Sequence, residues 1–258
     1  MTMTMIGIDP HKATHTAVAI DDDENVIGEF TLDASRGQVE RLTGWASMFT
    51  KREWAVESAS GLGYLVARQL VSAGETVFDV PPVLASRVRL MGSGRSQKND
   101  PNDARSIAIA ALRSDRLAVV APDDHVTVLR LLVKRHRDIA QLRNKHCSRL
   151  HALIGELKAG GIGTEISVTK ASQLLDGIGI GDETTRYRAL VAREVADDIA
   201  HLDEKLTISK KRIALAILAS GTSVTDIVGV GPVGAATIIG YTKDVTRFPT
   251  RGHYATYN

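Results

Sequence analysis

Four carboxylates carry the strongest chemical signal in this sequence. Asp9 ends the apolar run that starts at Met5, Glu57 follows Trp54–Val56, and Asp100 and Asp103 lie in Lys98-Asn99-Asp100-Pro101-Asn102-Asp103-Ala104-Arg105. Carboxylate oxygens are hard ligands of the kind that Mg2+ requires. Two such ions roughly 3.5–4 Å apart can activate an attacking oxygen and stabilise a leaving one, which is the chemistry of phosphoryl displacement. The three-residue step from Asp100 to Asp103 puts both on one helical face. Asp9 and Glu57 each end a strand-like run, so a fold that gathers strand ends against a helix start would build the centre.

Each carboxylate also has a plainer reading. Asp9-Pro10 fits a turn, and Glu57 fits an exposed strand end. Asp100-Pro101-Asn102-Asp103 fits a helix start, with an N-cap, a proline at the first helical position and an acidic third residue. Capping and metal ligation are compatible, because a helix start can present its carboxylates. Joint occurrence on an alternating α/β background favours ligation. Lys98 fits a solvated side chain better than a phosphate contact.

The elements that must position these residues follow from periodicity. Met5–Asp9, His15–Ile20 and Val26–Leu32 read as a three-strand meander, the last two separated by the polar turn Asp21–Glu24. Gln38–Phe49 reads as a helix, Trp54–Val56 as a strand, Gly63–Ala73 as a helix with Leu65, Val66, Leu70 and Val71 on one side, and Thr76–Val80 as a strand. The order β-β-β-α-β-α-β is that of ribonuclease H and RuvC nucleases. Farther on, Leu129, Leu132, Ile139, Leu150, Leu153 and Leu157 mark a long helix over Val126–Leu157, its stripe interrupted by His136, Arg143 and His146. A second helix, over Thr184–Leu218, carries Tyr187, Val191, Val195, Ile199, Leu202, Leu206, Ile213 and Ile217. The glycine-rich stretch Gly160–Gly181 reads as the loop joining them into an antiparallel coiled arm. The expected domains are 1–121, catalytic; 122–218, the arm; and 219–258, the start of a further helical domain.

Charge is segregated beneath a formal net value of only +2. Residues 125–158 contain Arg130, Lys134, Arg135, Arg137, Arg143, Lys145, Arg149 and Lys158 against Asp138 and Glu156. Residues 205–258 contain Lys205, Lys210, Lys211, Arg212, Lys243, Arg247 and Arg251 against Asp226 and Asp244. Such blocks attract polyanions, and Lys134, Arg135, Arg137, Arg143, Lys145 and Arg149 are the candidate nucleic-acid contacts, with a solvated helix face as the plain alternative. The interleaved His136, His146 and His151 lack a metal-ligand spacing. Aromatics make up only 4% of the chain, too few for single-strand stacking platforms. A single cysteine, Cys147, excludes an internal disulfide framework and suits the cytoplasm. No charged-then-apolar leader opens the chain and no apolar run is long enough for a membrane helix, so a soluble protein is expected.

Three segments, in order, make a resemblance specific: IGIDPHKATHTAVAI, WAVESASGLGYLVARQL and SGRSQKNDPNDARSIAIAAL. They resemble the signature blocks of DEDD transposases of the insertion sequence 110 family, and VTDIVGVGPVGAATIIGYTKDVTRFPTRGHYATYN resembles the start of that family's second domain. The resemblance implies a RuvC-like domain with Asp9, Glu57, Asp100 and Asp103 as ligands of Mg2+ in a two-metal site, and a helical arm. It also implies homo-oligomeric assembly on DNA and a structured RNA encoded by the element that guides target and donor choice.

The run Ile227–Ile239 fits a helix-hairpin-helix, with Gly229, Gly231 and Gly234 in its turn, backbone N–H groups facing a phosphate and Ala235 at the helix crossing. An ordinary glycine-rich turn is the alternative. Gly177–Gly181 and Gly92-Ser93-Gly94 read as loops. Family members carry a nucleophilic serine beyond this point; the last serine here is Ser223, and no residue matches that nucleophile. The expectation is therefore a truncated recombinase able to bind nucleic acid but deficient in strand exchange. Two rivals stand beside it: a RuvC-like structure-specific nuclease that uses water, and a non-catalytic DNA- or RNA-binding remnant. A sugar-kinase-like fold would need phosphate-binding glycine loops in two related lobes, which the sequence lacks.

Overall fold

A computed structural model describes residues 3–91, 100–163, 167–179 and 181–257. Gly92-Ser93-Gly94, Lys98 and Ile180 lie outside the described residues. The chain divides into two compact units, Met1–Pro122 and Asp123–Asn258.

The first unit runs β1 (Thr4–Pro10), β2 (Thr14–Ile20), β3 (Val26–Asp33), α1 (Gln38–Ala46), β4 (Arg52–Glu57), α2 (Tyr64–Ser72), β5 (Val77–Val80), α3 (Pro82–Met91), α4 (Asp100–Leu112) and β6 (Ala118–Val119). Its sheet has the order β3-β2-β1-β4-β5-β6. β1 is antiparallel to β2 and parallel to β4, so the sheet is mixed. The expected order β-β-β-α-β-α-β is present from β1 to β5, with α3, α4 and β6 following.

Alternation along the strands sorts the core into two layers. Ile6 and Ile8 of β1, Ala17 and Ala19 of β2, and Trp54 and Val56 of β4 pack with Leu42 of α1 and Val66 and Leu70 of α2. The opposite parity, including Met5, Val18, Ile20 and Ala55, packs with Ala104, Ile107 and Ala108 of α4. Helix α4 lies so close over β1 that a Cβ on Gly7 would sit 2.1 Å from the Ala104 carbonyl oxygen and 2.6 Å from the Ala108 nitrogen. Only glycine fits there.

Three local readings change. Helix α1 stops at Ala46 rather than Phe49, because the chain tightens into three-residue turns (Ser47 N to Gly44 O, Phe49 N to Ala46 O). Arg52 then donates to the Ala46 and Phe49 carbonyls, satisfying groups a helix end leaves open. Leu65, expected on the buried side of α2, is 60% exposed, and Ala67 takes its place in the core. Helix α3 had no expectation attached, since Pro81-Pro82 signals a break; Pro82 instead starts the helix.

The second unit contains α5 (His125–Leu157), α6 (Val168–Asp176), α7 (Glu183–Ala219), a 3-10 turn at Val224–Asp226, α8 (Pro232–Thr242), a second at Val245–Arg247, and α9 (Arg251–Tyr257). Asp124 caps α5 by accepting from Thr127 N, and Asp182 caps α7 by accepting from Thr185 N. The two long helices run antiparallel: His136 meets Ser209, Arg143 meets Asp203, His146 meets Asp198 and Glu156 meets Arg188. The three polar residues that interrupt the apolar stripe of α5 are therefore its cross-helix partners.

Apolar cores lie on either side of that polar stretch. Leu150, Ile154, Ala192, Val195 and Ile199 pack with Ala171 and Leu175 of α6, so the segment read as a loop contains a helix. Ser167 caps it by accepting from Lys170 N, and its apolar side was masked in the sequence by the glycines around it. At the other end Leu129, Val133, Ile213 and Ile217 pack with Ala235 and Ala236 of α8. The tightest crossing there is at Gly240, where a Cβ would lie 2.9 Å from Arg130 Cα. Tyr187, expected within the buried stripe of α7, is 52% exposed. Among the described residues no helix is long and apolar enough to cross a membrane.

Candidate metal centre

Strand register places the first two carboxylates side by side. Ile8 of β1 pairs with Val56 of β4 in a parallel ladder, so the next residues, Asp9 and Glu57, emerge on the same face of the sheet. That is the face α4 covers. Asp100 and Asp103 occupy the first turn of α4, and the close packing at Gly7 brings that turn down towards Asp9. Beyond Glu57 the backbone turns sharply at Ser58, whose φ of 52° is the left-handed conformation that L-residues rarely adopt. Ser58 O accepts from Gly61 N and Gly63 N. Asp79 accepts from Ala59 N and Ser60 Oγ, which ties the same loop to β5.

One ligand atom each from Asp9, His11 and Asp100 lie within 4.8 Å of one another. His11 Nε2 is 3.1 Å from Asp9 Oδ2 and 3.7 Å from Asp100 Oδ1. Glu57 and Asp103 lie outside that trio but within its electrostatic reach. Burial pushes the Asp9 carboxyl above the ordinary carboxylate range; His11 pulls it back, and the charges of Asp103 and Asp100 add to the rise. Burial also raises Glu57, with Asp9 and Asp103 adding to the rise and Arg89 and His11 opposing it. Asp103 is held by Arg89 of α3, Nη1 to Oδ1 at 2.5 Å.

All four predicted carboxylates thus sit around one patch of the sheet, in two states of engagement. The donor set suits a hard divalent cation: oxygen ligands of like charge, two of them raised by burial and mutual repulsion, so a cation would relieve the strain. His11 was not anticipated. Its signal was its place two residues past Asp9, which has no meaning until the end of β1 and the start of α4 meet.

The basic candidates divide differently. Lys134, Arg135, Lys145 and Arg149 are exposed and make no ion pair among the described residues. Arg137 stacks on the Tyr241 ring at 5.1 Å, and Arg130 approaches the same ring at 5.5 Å. Arg143 is paired within the unit: its guanidinium forks onto Asp203 and its Nη1 lies 3.5 Å from Cys147 Sγ. Of the candidate hairpin glycines, Gly229 has a φ of 90°, Gly231 precedes α8 in an extended conformation, and Gly234 lies in its first turn. The element before them is the short 3-10 turn at Val224–Asp226, and Val228 at the loop tip is fully exposed.

The first unit is thus a mixed α/β sheet whose Asp9, His11 and Asp100 could together hold a metal ion. Residues 6–158 match the transposase family DEDD_Tnp_IS110, and the chain belongs to that family. The resemblance read from the three sequence segments is borne out. The chain is similar to a protein of Streptomyces clavuligerus described as "Insertion element IS116 uncharacterized 44.8 kDa protein", 32% identical over 150 residues. The match covers 58% of this chain and 37% of that relative, so the chain spans well under half of the relative's length. Among solved structures, RuvC of Thermus thermophilus in complex with a Holliday junction substrate aligns at 18% identity with a TM-score of 0.37, covering 46% of this chain and 99% of RuvC. A second Thermus thermophilus RuvC structure aligns at 15% identity with a TM-score of 0.36, covering 46% and 100%.

Proposed function

We propose that the first unit is the metal-dependent DNA-cleaving centre of an insertion-sequence transposase, a site-specific recombinase, and that the second unit binds nucleic acid. The observation that carries the reading is the convergence of Asp9, Glu57, Asp100 and Asp103 on one face of the sheet. These four would hold Mg2+, in a two-metal arrangement. When bound, the metal supplies a cation that lowers the pKa of an attacking oxygen and stabilises the leaving one. His11 keeps the Asp9 and Asp100 carboxylates oriented towards one another, and the walls of β1, β4 and α4 hold all four groups before substrate arrives.

Phosphate contact falls to the exposed Lys134, Arg135, Lys145 and Arg149, joined by Arg137 and by the amides around Gly229, Gly231 and Gly234. The family supports further partners: an element-encoded structured RNA and other copies of the same chain. Cleavage of element-end DNA in Mg2+ tests the reading. The purified chain should nick, and Asp9→Ala should lower the rate at least about a hundredfold. Free product ends would mark hydrolysis, whereas joined or protein-linked ends would mark recombination. Binding without any nicking would favour the non-catalytic reading. Replacing Lys134 or Arg135 by alanine should lower the salt dependence of DNA affinity by roughly one unit of slope each.

A further inference from the structure

Arg89 lies in the last turn of α3. Its Nη1 sits 2.5 Å from Asp103 Oδ1, and the Asp103 side chain is only 15% exposed. Its charge also reaches Glu57, where it opposes the effects of burial, Asp9 and Asp103. Among the described residues it is the one Lys or Arg paired with any of the four carboxylates.

A group of carboxylates gathered on a partly buried face is costly to hold together without a counter-charge. A divalent cation would provide that charge when present. When no metal is bound, a guanidinium on the adjoining helix could supply it without being captured from solution. A guanidinium and a metal ion on the same carboxylate also repel each other, so they favour exclusive occupation.

We propose that Arg89 is a built-in counter-cation: its pairing with Asp103 competes with a divalent ion for that carboxylate. The proposal rests on the metal-centre reading above. It differs from the other role an arginine can take beside a ligand, that of orienting the carboxylate for the metal. The two roles predict opposite signs: removing a competitor tightens metal binding, whereas removing an orienting partner loosens it.

Mn2+ affinity of the full 258-residue chain, read from the free-ion electron paramagnetic resonance signal, decides between them. Arg89→Met keeps much of the aliphatic stem and Arg89→Ala removes it, so a packing loss peculiar to one variant does not decide the outcome; Arg89→Lys keeps the charge. Arg89→Met and Arg89→Ala should bind Mn2+ about tenfold tighter than the parent, within the range usual for coupled sites, with Arg89→Lys nearer the parent. Asp9→Asn should remove binding in the parent and in the Arg89 variants. Equal or weaker binding in both neutral variants, still lost with Asp9→Asn, would overturn the role of Arg89 and leave the metal centre standing. No Mn2+ binding in the parent or either neutral variant, or binding indifferent to Asp9→Asn, would overturn both.

Discussion

Asp9 and Glu57 illustrate how a site can work against the stability of its own fold. Burial, and the other carboxylates, raise both groups above their ordinary range. A carboxyl with a higher pKa folded than unfolded stabilises the fold through its protonated form. That contribution is complete below the ordinary carboxylate range and is lost as pH rises through the folded values. Metal-free Asp9→Asn should therefore gain stability relative to the parent as pH rises from about 4 to about 7, with urea denaturation at both ends of the interval as the measurement. A gain that shrinks with rising pH would show that the Asp9 carboxyl is not raised by its burial and its acidic neighbours. Metal reverses the trend, because its ligands must be ionised to bind. Arg143 shows the converse lesson for charge: an arginine in a basic run can be committed to a partner one helix away, here Asp203.

At the scale of elements, the centre depends on how closely α4 lies on β1. A methyl group on Gly7 would meet the α4 backbone at 2.1 Å and 2.6 Å, and backbone cannot step aside as a side chain can. Gly7→Ala should lift the start of α4 from the sheet, cost roughly 1–3 kcal/mol or more, and weaken metal binding although no ligand is changed. Gly155 is the contrasting case, a glycine inside α5 with open space around its Cβ position. Gly155→Ala should stabilise the second unit by roughly 0.5–1 kcal/mol. Chemical denaturation of the two variants beside the parent reads both effects.

The whole molecule consists of two units, each with its own buried cores. Heating should accordingly give two transitions in calorimetry. Gly7→Ala should lower one of them, and Gly240→Ala, which crowds the Arg130 backbone, should lower the other. Mg2+ at about a hundred times its dissociation constant should stabilise the Gly7-sensitive transition by about 2.7 kcal/mol and leave the other in place. A metal shift in the Gly240-sensitive transition would move the metal centre out of the first unit.

Much of this could be read along the chain. Period-two alternation in β1, β2 and β4 and the long stripes of α5 and α7 are local signals, because each side chain's face follows from its own position in the element. The types of the four carboxylates, and the step of three between Asp100 and Asp103, are local in the same sense. Membership of the transposase family was also legible, since it is carried by contiguous segments. What only the tertiary structure decided were relations between distant segments. The register Ile8 to Val56 sets Asp9 beside Glu57, the missing side chain at Gly7 lets α4 settle onto β1, and that contact brings His11 to Asp100. The basic residues sorted themselves by the same rule: Arg89 found Asp103 and Arg143 found Asp203, while Lys134 and Arg135 stayed exposed. Helix α6 was hidden because flanking glycines outweighed a nine-residue amphipathic stretch whose apolar side has meaning only against Leu150 and Ala192. Charge and hydrophobicity are properties of a residue, but their partners depend on distances that sequence separation does not encode.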